Sequence, residues 1–228
     1  MRGWKYKLWN NEDITKKNFP KTWNYIKKAL DISTETGKNK FAQIADLMRL
    51  EVLYKYGGLY ADATLEPLKN FKGLIKPEDE FVISNEDPCG LDCYNEDVDM
   101  YYISNSFIAS VPKHVILKRV LRKTTLDKIN FLSNKVNIET GPFFLRKNIK
   151  YTDNIKILPT DIIYPFGYDT VYKKGNDDMC FFYKKNEKSN ITIRTSDNNK
   201  IYIQYPCMSY PNSYAIKHWE VGGSWIIK

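Results

Sequence analysis

The stretch FAQIADLMRLEVLYKYGGLYADATLEP, residues 41–67, decides the fold because it joins an amphipathic helix, a glycine pair and a short strand. Apolar residues recur there at helical spacing, in a stripe wide enough for a helix that packs on a core. They are Phe41, Ile44, Ala45, Leu47, Met48, Leu50, Val52 and Leu53. Gly57 and Gly58 end the predicted helix, since a glycine past the last turn adopts the left-handed conformation that caps exposed carbonyls.

The residues after the glycines predict a strand that delivers a carboxylate. Residues 59–61 are typical of a buried strand, and Asp62 follows them directly. Ligands of open α/β sheets bind outside the carboxyl ends of strands, so Asp62 is well placed to meet a ligand or a metal ion. If the chain stays extended, Asp62, Thr64 and Glu66 point to one side. The structural alternative for Asp62 is a turn carboxylate that caps backbone amides.

Length and composition indicate a globular protein. The chain has 228 residues, 43% of them hydrophobic and 27% charged, a balance that argues against wholesale disorder. No run approaches the roughly 20 apolar residues that span a bilayer, and the N-terminus lacks the apolar core of a signal peptide. We therefore expect a soluble, cytoplasmic protein, with peripheral membrane contact as an option.

The basic balance and the cysteines restrict the partners. A formal charge of +8 favours anionic partners, although a dispersed, solvated basic surface is the simpler explanation. No nucleic-acid-binding module is recognisable, so we expect no nucleic-acid partner. Four cysteines are too few for a disulfide scaffold in a chain of this length. Zinc at Cys89 and Cys93 would need two further ligands, so free thiols or a local disulfide are the simpler states.

Short motifs follow one another along nearly the whole chain. They are WKYKLWN at 4–10, ADLMR at 45–49, YGG at 56–58, YADAT at 60–64, ISNSFIA at 103–109, TGP at 140–142, HW at 218–219 and SW at 224–225. In this order they resemble the DXD-motif glycosyltransferases of family thirty-two and the related capsular polysaccharide synthesis glycosyltransferases. The resemblance implies an α/β fold of the GT-A nucleotide-diphospho-sugar transferase type, with a mixed, mostly parallel sheet flanked by helices. We expect a single domain, residues 1–228, that lacks the family's usual first strand.

The resemblance also implies an activity. Such a protein is a retaining glycosyltransferase that moves a hexose from a UDP- or GDP-sugar to a glycan, glycolipid or other lipid-linked acceptor, or glycoprotein, as in polysaccharide biosynthesis. A divalent cation, Mn²⁺ or Mg²⁺, would neutralise the leaving diphosphate. The alternative is a catalytically silent protein that binds sugar nucleotides or glycans.

The resemblance assigns Asp62 to catalysis and to the metal, as the first aspartate of the DXD motif. Thr64 stands where the family usually has a second aspartate. Its hydroxyl can bind a metal-bound water or a phosphate oxygen but adds no charge. Glu66 or the C-terminal segment would then have to strengthen the metal site.

The donor sugar is assigned to residues further along the motifs. By resemblance Asp46 and Arg49 bind its hydroxyls and count as catalytic, although their spacing alone favours an ion pair on the helix surface. Tyr60 belongs to the same motif. Asn105 is either a sugar ligand or an asparagine in a strand-end turn. Thr140 and Gly141 either line the donor or begin a helix.

The C-terminal segment is predicted to complete the site. His218 is the second candidate metal ligand, and Ser224 and Trp225 are candidate ligands of the diphosphate. Gly222 and Gly223 would let this segment close over the donor. Hydrophobic docking of a tail is the alternative. His114 is predicted to be structural.

Overall fold

The computed structural model describes residues 4–36, 40–86, 103–124, 129–133, 135–150, 153–165, 170–174, 179–184, 203–206 and 212–217. The chain divides into two compact units. The first comprises Met1–Ala61, Ile75–Ser84 and Tyr102–Ile157, and the second comprises Asp62–Leu74, Asn85–Tyr101 and Leu158–Lys228. The single-domain organisation stays a prediction.

The described residues contain both helices and strands. The helices are α1 (Trp23–Thr36), α2 (Phe41–Tyr56), α3 (Val115–Lys123), α4 (Val136–Glu139), α5 (Pro142–Arg146) and α6 (Thr160–Ile163), with 3₁₀ turns at Asn11–Asp13 and Phe71–Gly73. The strands are β1 (Gly58–Ala61), β2 (Leu65–Pro67), β3 (Phe81–Asn85), β4 (Ile103–Ser110), β5 (Lys156–Leu158), β6 (Thr170–Lys174), β7 (Met179–Lys184), β8 (Ile203–Pro206) and β9 (Ala215–Lys217). The mixed α/β arrangement, with a mixed sheet flanked by helices, confirms the predicted fold class and is consistent with a GT-A-like fold.

The main sheet of the described residues has the strand order β1-β4-β3-β5. Strand β1 lies at its edge and pairs with β4 in the antiparallel sense, from Gly58 opposite Ser110 to Ala61 opposite Phe107. The prediction that residues 59–61 form a buried strand was wrong. Gly58 and Ala61 are exposed and the two residues between them are only half-buried, because an edge strand has a neighbour on one side alone.

Helix α2 is the central element of the first unit. Its bounds, Phe41–Tyr56, confirm the predicted helix and its end before Gly57. Leu50 and Leu53 pack in one core cluster with residues of β3, β4 and α3, whereas Ile44 and Leu47 pack in another with α1. Phe41 was wrongly placed in the stripe, since it is 59% exposed. The helix also buries the polar residues Gln43, Asp46, Arg49 and Glu51.

Glu51 has a structural task between α2 and α1. One carboxylate oxygen accepts from the Lys21 amide at 2.8 Å, and the other accepts from the amide and hydroxyl of Thr22 at 2.8 and 2.6 Å. These donors lie just before the first turn of α1, where helical amides lack intrahelical acceptors. A carboxylate also suits the positive end of the helix dipole. Glu51 thus caps α1 and ties it to α2.

The link from α2 to β1 depends on Gly57. Its amide donates to the Leu53 carbonyl at 2.8 Å, and its φ of 66° is positive, as predicted. Its ψ is −158°, however, so the residue is extended rather than left-handed helical. This backbone conformation is essentially restricted to glycine. The reason is that the chain must pass directly from the helix into an extended strand.

In the second unit, β2 pairs with β9 in the antiparallel sense, and Leu65 lies opposite Lys217. The chain does not stay extended from Asp62 to Glu66, as the predicted alternation required. Residues 62–65 form a turn in which the Leu65 amide donates to the Asp62 carbonyl at 2.9 Å. Strands β6, β7 and β8 form a separate antiparallel sheet within the described part of this unit. No helix in the described chain is long and apolar enough to cross a membrane.

Candidate functional site

A buried polar cluster forms around the Asp46 carboxylate in the first unit. The Asn105 side-chain amide donates to Asp46 Oδ1 at 2.8 Å, and the Thr140 hydroxyl donates to Oδ2 at 2.9 Å. Arg49 Nη2 lies 3.0 Å from Oδ1. Four residues that the sequence motifs singled out therefore come together, although they lie on α2, on β4 and in the turn after α4.

Arg49 is held from several sides. Its Nη1 donates to the Asn105 carbonyl at 2.7 Å, and its Nε donates to the Ala45 carbonyl at 3.3 Å. The guanidinium carbon lies 4.5 Å from the centre of the Tyr60 ring. This cation–π contact also helps to hold the guanidinium in place. Tyr60 thus contacts the cluster from β1, and its role in donor binding stays a prediction.

The cluster is shielded from water. The side chains of Arg49 and Asp46 are 4% and 3% exposed, so the pair is not the surface ion pair that spacing alone favours. Removing two charges from water costs several kcal/mol per ion, and only good geometry with further hydrogen bonds offsets this cost. The neighbouring amide, hydroxyl and carbonyl supply those bonds.

Gly141 positions Thr140 beside Asp46. A Cβ at Gly141 would lie 2.8 Å from Asn137 Cα and 3.2 Å from its carbonyl oxygen, so the close passage of the chain after α4 requires glycine. Gly141 precedes α5, which begins at Pro142. The helix-initiating turn that we weighed for these residues is therefore present, while contact of Thr140 and Gly141 with a donor stays a prediction.

Gln43 is a buried polar residue of α2 that the motifs did not predict. It lies three residues before Asp46 on α2, hence on a neighbouring part of the same helix surface, and it is fully buried. Within the described part of the chain, neither Oε1 nor Nε2 of Gln43 has a hydrogen-bond partner. A buried amide without partners costs about 1–3 kcal/mol. The sequence feature that could have indicated Gln43 is a glutamine among apolar helix residues, three positions before the aspartate of a motif.

Asp62 faces a lysine in the second unit. Lys217 Nζ lies 2.6 Å from Asp62 Oδ2, and the two side chains are 10% and 20% exposed. Thr64 Oγ1 is buried and has no hydrogen-bond partner among the described residues. The motifs did not predict a role for Lys217, although this lysine directly precedes the HW motif.

The described residues around Asp62 do not by themselves form a site for the divalent cation that the resemblance implies. Oxygen-rich sites with carboxylates hold Mg²⁺ and Mn²⁺, whereas the Asp62 carboxylate is paired with the Lys217 ammonium. In the part of the chain that the structure describes, no group of three histidine, cysteine, aspartate or glutamate side chains could hold a metal ion. The metal role of Asp62 stays a prediction that needs ligands from elsewhere, such as His218. His218, Ser224 and Trp225 lie outside the described residues, as do Cys89 and Cys93.

Two other features of the first unit do not belong to the polar cluster. A cavity of about 300 Å³ is lined by Lys21, Tyr54, Lys118, Leu121 and Arg122. None of these residues belongs to the polar cluster. His114 accepts from the Ile116 amide through Nδ1 at 3.3 Å and stacks on Phe81 with ring centres 5.0 Å apart. Burial lowers the pKa of His114 below its usual value, against smaller opposite effects of Glu80 and Asp153. These contacts agree with its predicted structural role.

Comparison with known families supports the interpretation of the motifs. Residues 1–82 match the family described as the glycosyltransferase sugar-binding region containing the DXD motif, and this part includes Asp46, Arg49, Tyr60 and Asp62. No curated protein matches the chain. The family generally binds divalent cations, and its sugar-binding region implies a nucleotide-sugar donor and an acceptor. Residues 1–82 are therefore similar to the sugar-binding region of DXD-motif glycosyltransferases, which supports a glycosyltransferase-type function for the chain.

Proposed function

We propose that the chain is a retaining hexosyltransferase that uses a UDP- or GDP-sugar and a glycan, lipid-linked or glycoprotein acceptor. The observation that carries the proposal is the buried cluster of Asp46, Arg49, Asn105 and Thr140. Three of its contacts hold Asp46, in the part of the chain that matches a sugar-binding region.

The chemistry of the cluster suits a sugar. Each sugar hydroxyl both donates and accepts, so its recognition needs acceptors and donors side by side. Carboxylate oxygens only accept, guanidinium nitrogens only donate, and side-chain amides do both. Gln43 adds a buried amide of which neither atom has a partner among the described residues. A sugar hydroxyl would satisfy that amide and remove its desolvation penalty.

The reaction makes modest chemical demands on the protein. The bond between sugar C1 and the β-phosphate oxygen breaks, and the acceptor oxygen bonds to C1 on the same face. The acceptor proton passes to the leaving phosphate oxygen, so a separate protein base is not required. The task of the side chains is then to bind and orient the reactants, which can account for much of the rate acceleration of an enzyme.

Gln43→Met is the sharpest test of sugar binding, because the two readouts are expected to move in opposite directions. Removal of an unpaired buried amide should raise the free energy of unfolding of the unliganded protein by about 1–2 kcal/mol. Loss of a hydroxyl partner should weaken hexose-nucleotide binding by roughly tenfold. Urea unfolding and calorimetric titration measure the two effects.

Asn24→Met is the matched control, since Asn24 is an exposed amide on α1 and should change neither quantity. Unchanged donor affinity in Gln43→Met would remove Gln43 from the sugar site. Product analysis by proton NMR with purified donor and acceptor panels checks the reaction itself. Retention is contradicted if the new linkage has the inverted anomeric configuration.

The second candidate is a catalytically silent sugar-nucleotide binder. It is favoured by Thr64 in place of the second acidic residue and by the ion pair of Asp62 with Lys217. Sugar nucleotides would then raise the melting temperature, because a ligand that binds the native state stabilises it. Neither donor hydrolysis nor transfer would be detected with any acceptor.

A further inference from the structure

We propose that the cavity of the first unit binds a phosphate monoester, either a free one or the headgroup of a lipid. Its lining residues are Lys21, Tyr54, Lys118, Leu121 and Arg122, and all five belong to this unit. The described lining therefore has three cations, a phenol and a leucine, and it has no carboxylate. The site is separate from the polar cluster around Asp46, so it does not depend on the proposed transfer reaction.

The backbone of Lys21 is fixed beside the cavity. Its amide donates to one oxygen of the Glu51 carboxylate, and Thr22 donates its amide and its hydroxyl to the other. Glu51 is buried and already serves these three donors, and it forms no ion pair with the Lys21 ammonium. That ammonium lies 5.2 Å from the centre of the Tyr54 ring, a distance typical of a cation–π contact. The positive charge of Lys21 therefore stays at the cavity wall.

Helix α3 supplies the other two cations. Lys118 and Arg122 are four residues apart and hence neighbours on one helix face. Leu121 belongs to the core cluster that joins α3 to α2. The Lys113 amide, two residues before α3, donates to the Tyr54 carbonyl at 2.7 Å. Core packing and this hydrogen bond together hold the two cations of α3 beside Tyr54.

The cations of α3 that line the cavity repel each other in the free protein. Like charges four residues apart destabilise a helix. Among the described residues, neither Lys118 nor Arg122 forms a salt bridge with a carboxylate. Arg119 on the same helix, by contrast, is paired with Asp153. An anion in the cavity would add an attraction to each of the three lining cations.

The size and the donors of the cavity favour a phosphate monoester. Its volume of about 300 Å³ lies at the lower end of the range for ligand pockets. A phosphate monoester carries a charge of about −1.5 to −2 at pH 7 and offers three acceptor oxygens. The Arg122 guanidinium can donate two parallel hydrogen bonds to such a group, and lysine ammonium groups add compact charge. A carboxylate has one charge and two oxygens, so it would use fewer of these donors.

The test is calorimetric titration of the full chain with glycerol 3-phosphate, in a phosphate-free buffer at fixed salt concentration. We expect saturable binding that Lys118→Met and Arg122→Met each weaken by roughly tenfold, the effect of losing a charged hydrogen bond. Arg122→Lys should retain part of the affinity. Neither methionine variant should lower the urea midpoint, because each removes one charge of a repelling pair.

Lys123→Met is the matched control. Lys123 is an exposed cation next to Arg122 on α3, and it does not line the cavity. Its removal changes the net charge equally but should leave the affinity for glycerol 3-phosphate unchanged. Equal losses in Arg122→Met and Lys123→Met would assign the binding to a diffuse basic surface and would overturn the inference, as would the absence of saturable binding to any phosphate monoester.

Vesicles separate the two sources of the phosphate. Phosphatidylcholine vesicles that contain phosphatidic acid present a phosphate monoester, whereas those that contain phosphatidylserine are anionic without one. A lipid source predicts stronger cosedimentation with the phosphatidic acid vesicles, and Arg122→Met should abolish this preference. A free source predicts binding of glycerol 3-phosphate without binding to either vesicle. Equal cosedimentation with both vesicles, unchanged in Arg122→Met, would contradict the lipid source.

Donor titration distinguishes this site from the proposed donor site. Sugar nucleotides should bind Lys118→Met and Arg122→Met with wild-type affinity, because neither residue contributes to the polar cluster. A joint loss of affinity for sugar nucleotides and for glycerol 3-phosphate would contradict a separate site. If glycerol 3-phosphate binds as expected but no sugar nucleotide binds any variant or the wild type, only the proposed transferase function fails.

Discussion

At the scale of single residues, Asp46 and Arg49 form a buried ion pair for which we propose a role in sugar binding. Both are buried, and the surrounding amide, hydroxyl and carbonyl groups satisfy them. A buried ion pair contributes little net stability compared with apolar residues, yet breaking it is costly because one charge remains unpaired. Stability measurements and binding measurements are therefore both needed to assign the role of this pair.

Asp46→Ala is expected to lower the free energy of unfolding by about 3–5 kcal/mol, since it leaves the Arg49 guanidinium buried without its carboxylate. The double variant Asp46→Ala/Arg49→Met should regain part of this loss, because it removes the unpaired charge, while Asn105 and Thr140 still lose their acceptor. Urea unfolding measures both changes.

Donor titration separates the two roles of this pair. The double variant should be stable but should not bind sugar nucleotides. If it binds them with wild-type affinity, Asp46 and Arg49 have only a structural role.

At the scale of elements, the join between α2 and β1 sets where the motif residues lie. Gly57 has a positive φ, and a Cβ there would lie 2.7 Å from Pro112 Cδ and 2.9 Å from the Ser110 carbonyl oxygen. Gly58 also has a positive φ, of 92°, but its Cβ would meet no atom within 4 Å. A comparison of alanine variants at the two glycines therefore separates the cost of a positive φ from the cost of a steric clash.

Gly57→Ala should destabilise the protein by about 2–5 kcal/mol. The new Cβ would clash with Pro112 and with the Ser110 carbonyl oxygen, and the positive φ adds a backbone cost. Gly58→Ala should cost only about 1–2 kcal/mol, from the backbone alone. Chemical unfolding of the two variants side by side gives the difference. Equal losses would show that Pro112 and Ser110 move aside at little cost.

At the scale of the whole molecule, ion pairs link segments that are distant in the chain. Asp153 accepts two hydrogen bonds from Arg119, at 2.6 and 2.9 Å, and Asp79 accepts one from Lys156 at 2.6 Å. The hydrogen bond from Arg119 holds the pKa of Asp153 below its usual range, and the one from Lys156 does the same for the pKa of Asp79. Depressed carboxyl pKa values contribute stability above about pH 4, and this contribution is lost as the pH falls through the folded pKa.

His114 should make the stability pH-dependent in a milder range. Burial lowers its pKa in the folded protein, so the unfolded chain binds more protons just below its usual pKa of about 6.5. Its contribution is complete above that pH and is lost as the pH falls through the folded pKa. Protonation would also remove the Nδ1 acceptor of the Ile116 amide.

His114→Asn tests this pH dependence, because asparagine also caps helices but does not titrate. Urea midpoints measured between pH 7.5 and about pH 5 should fall in the wild type and fall less in the variant. Equal slopes would show that another group controls the decline.

The sequence predicted much of this protein where the signal is local. The span of α2 and its end at the glycine pair follow from periodicity and glycine chemistry, and the α/β class follows from the resemblance. Five residues of the motifs, Asp46, Arg49, Tyr60, Asn105 and Thr140, meet in one cluster. Predictions that depended on burial did worse. Phe41 is exposed and β1 lies at the edge of the sheet, because periodicity shows which face is apolar but not how far packing extends along it.

Local chemistry was therefore determined by the sequence alone: where the helix ends, which residues carry charge, and that position 64 lacks an acidic side chain. Only the tertiary structure decided which groups meet. Lys217 reaches Asp62 from 155 residues away, Thr140 reaches Asp46 from 94, and the Gln43 amide is buried without partners among the described residues. The physical reason is that partners of polar groups are set by strand register and helix packing, which join segments whose sequences carry no mark of each other.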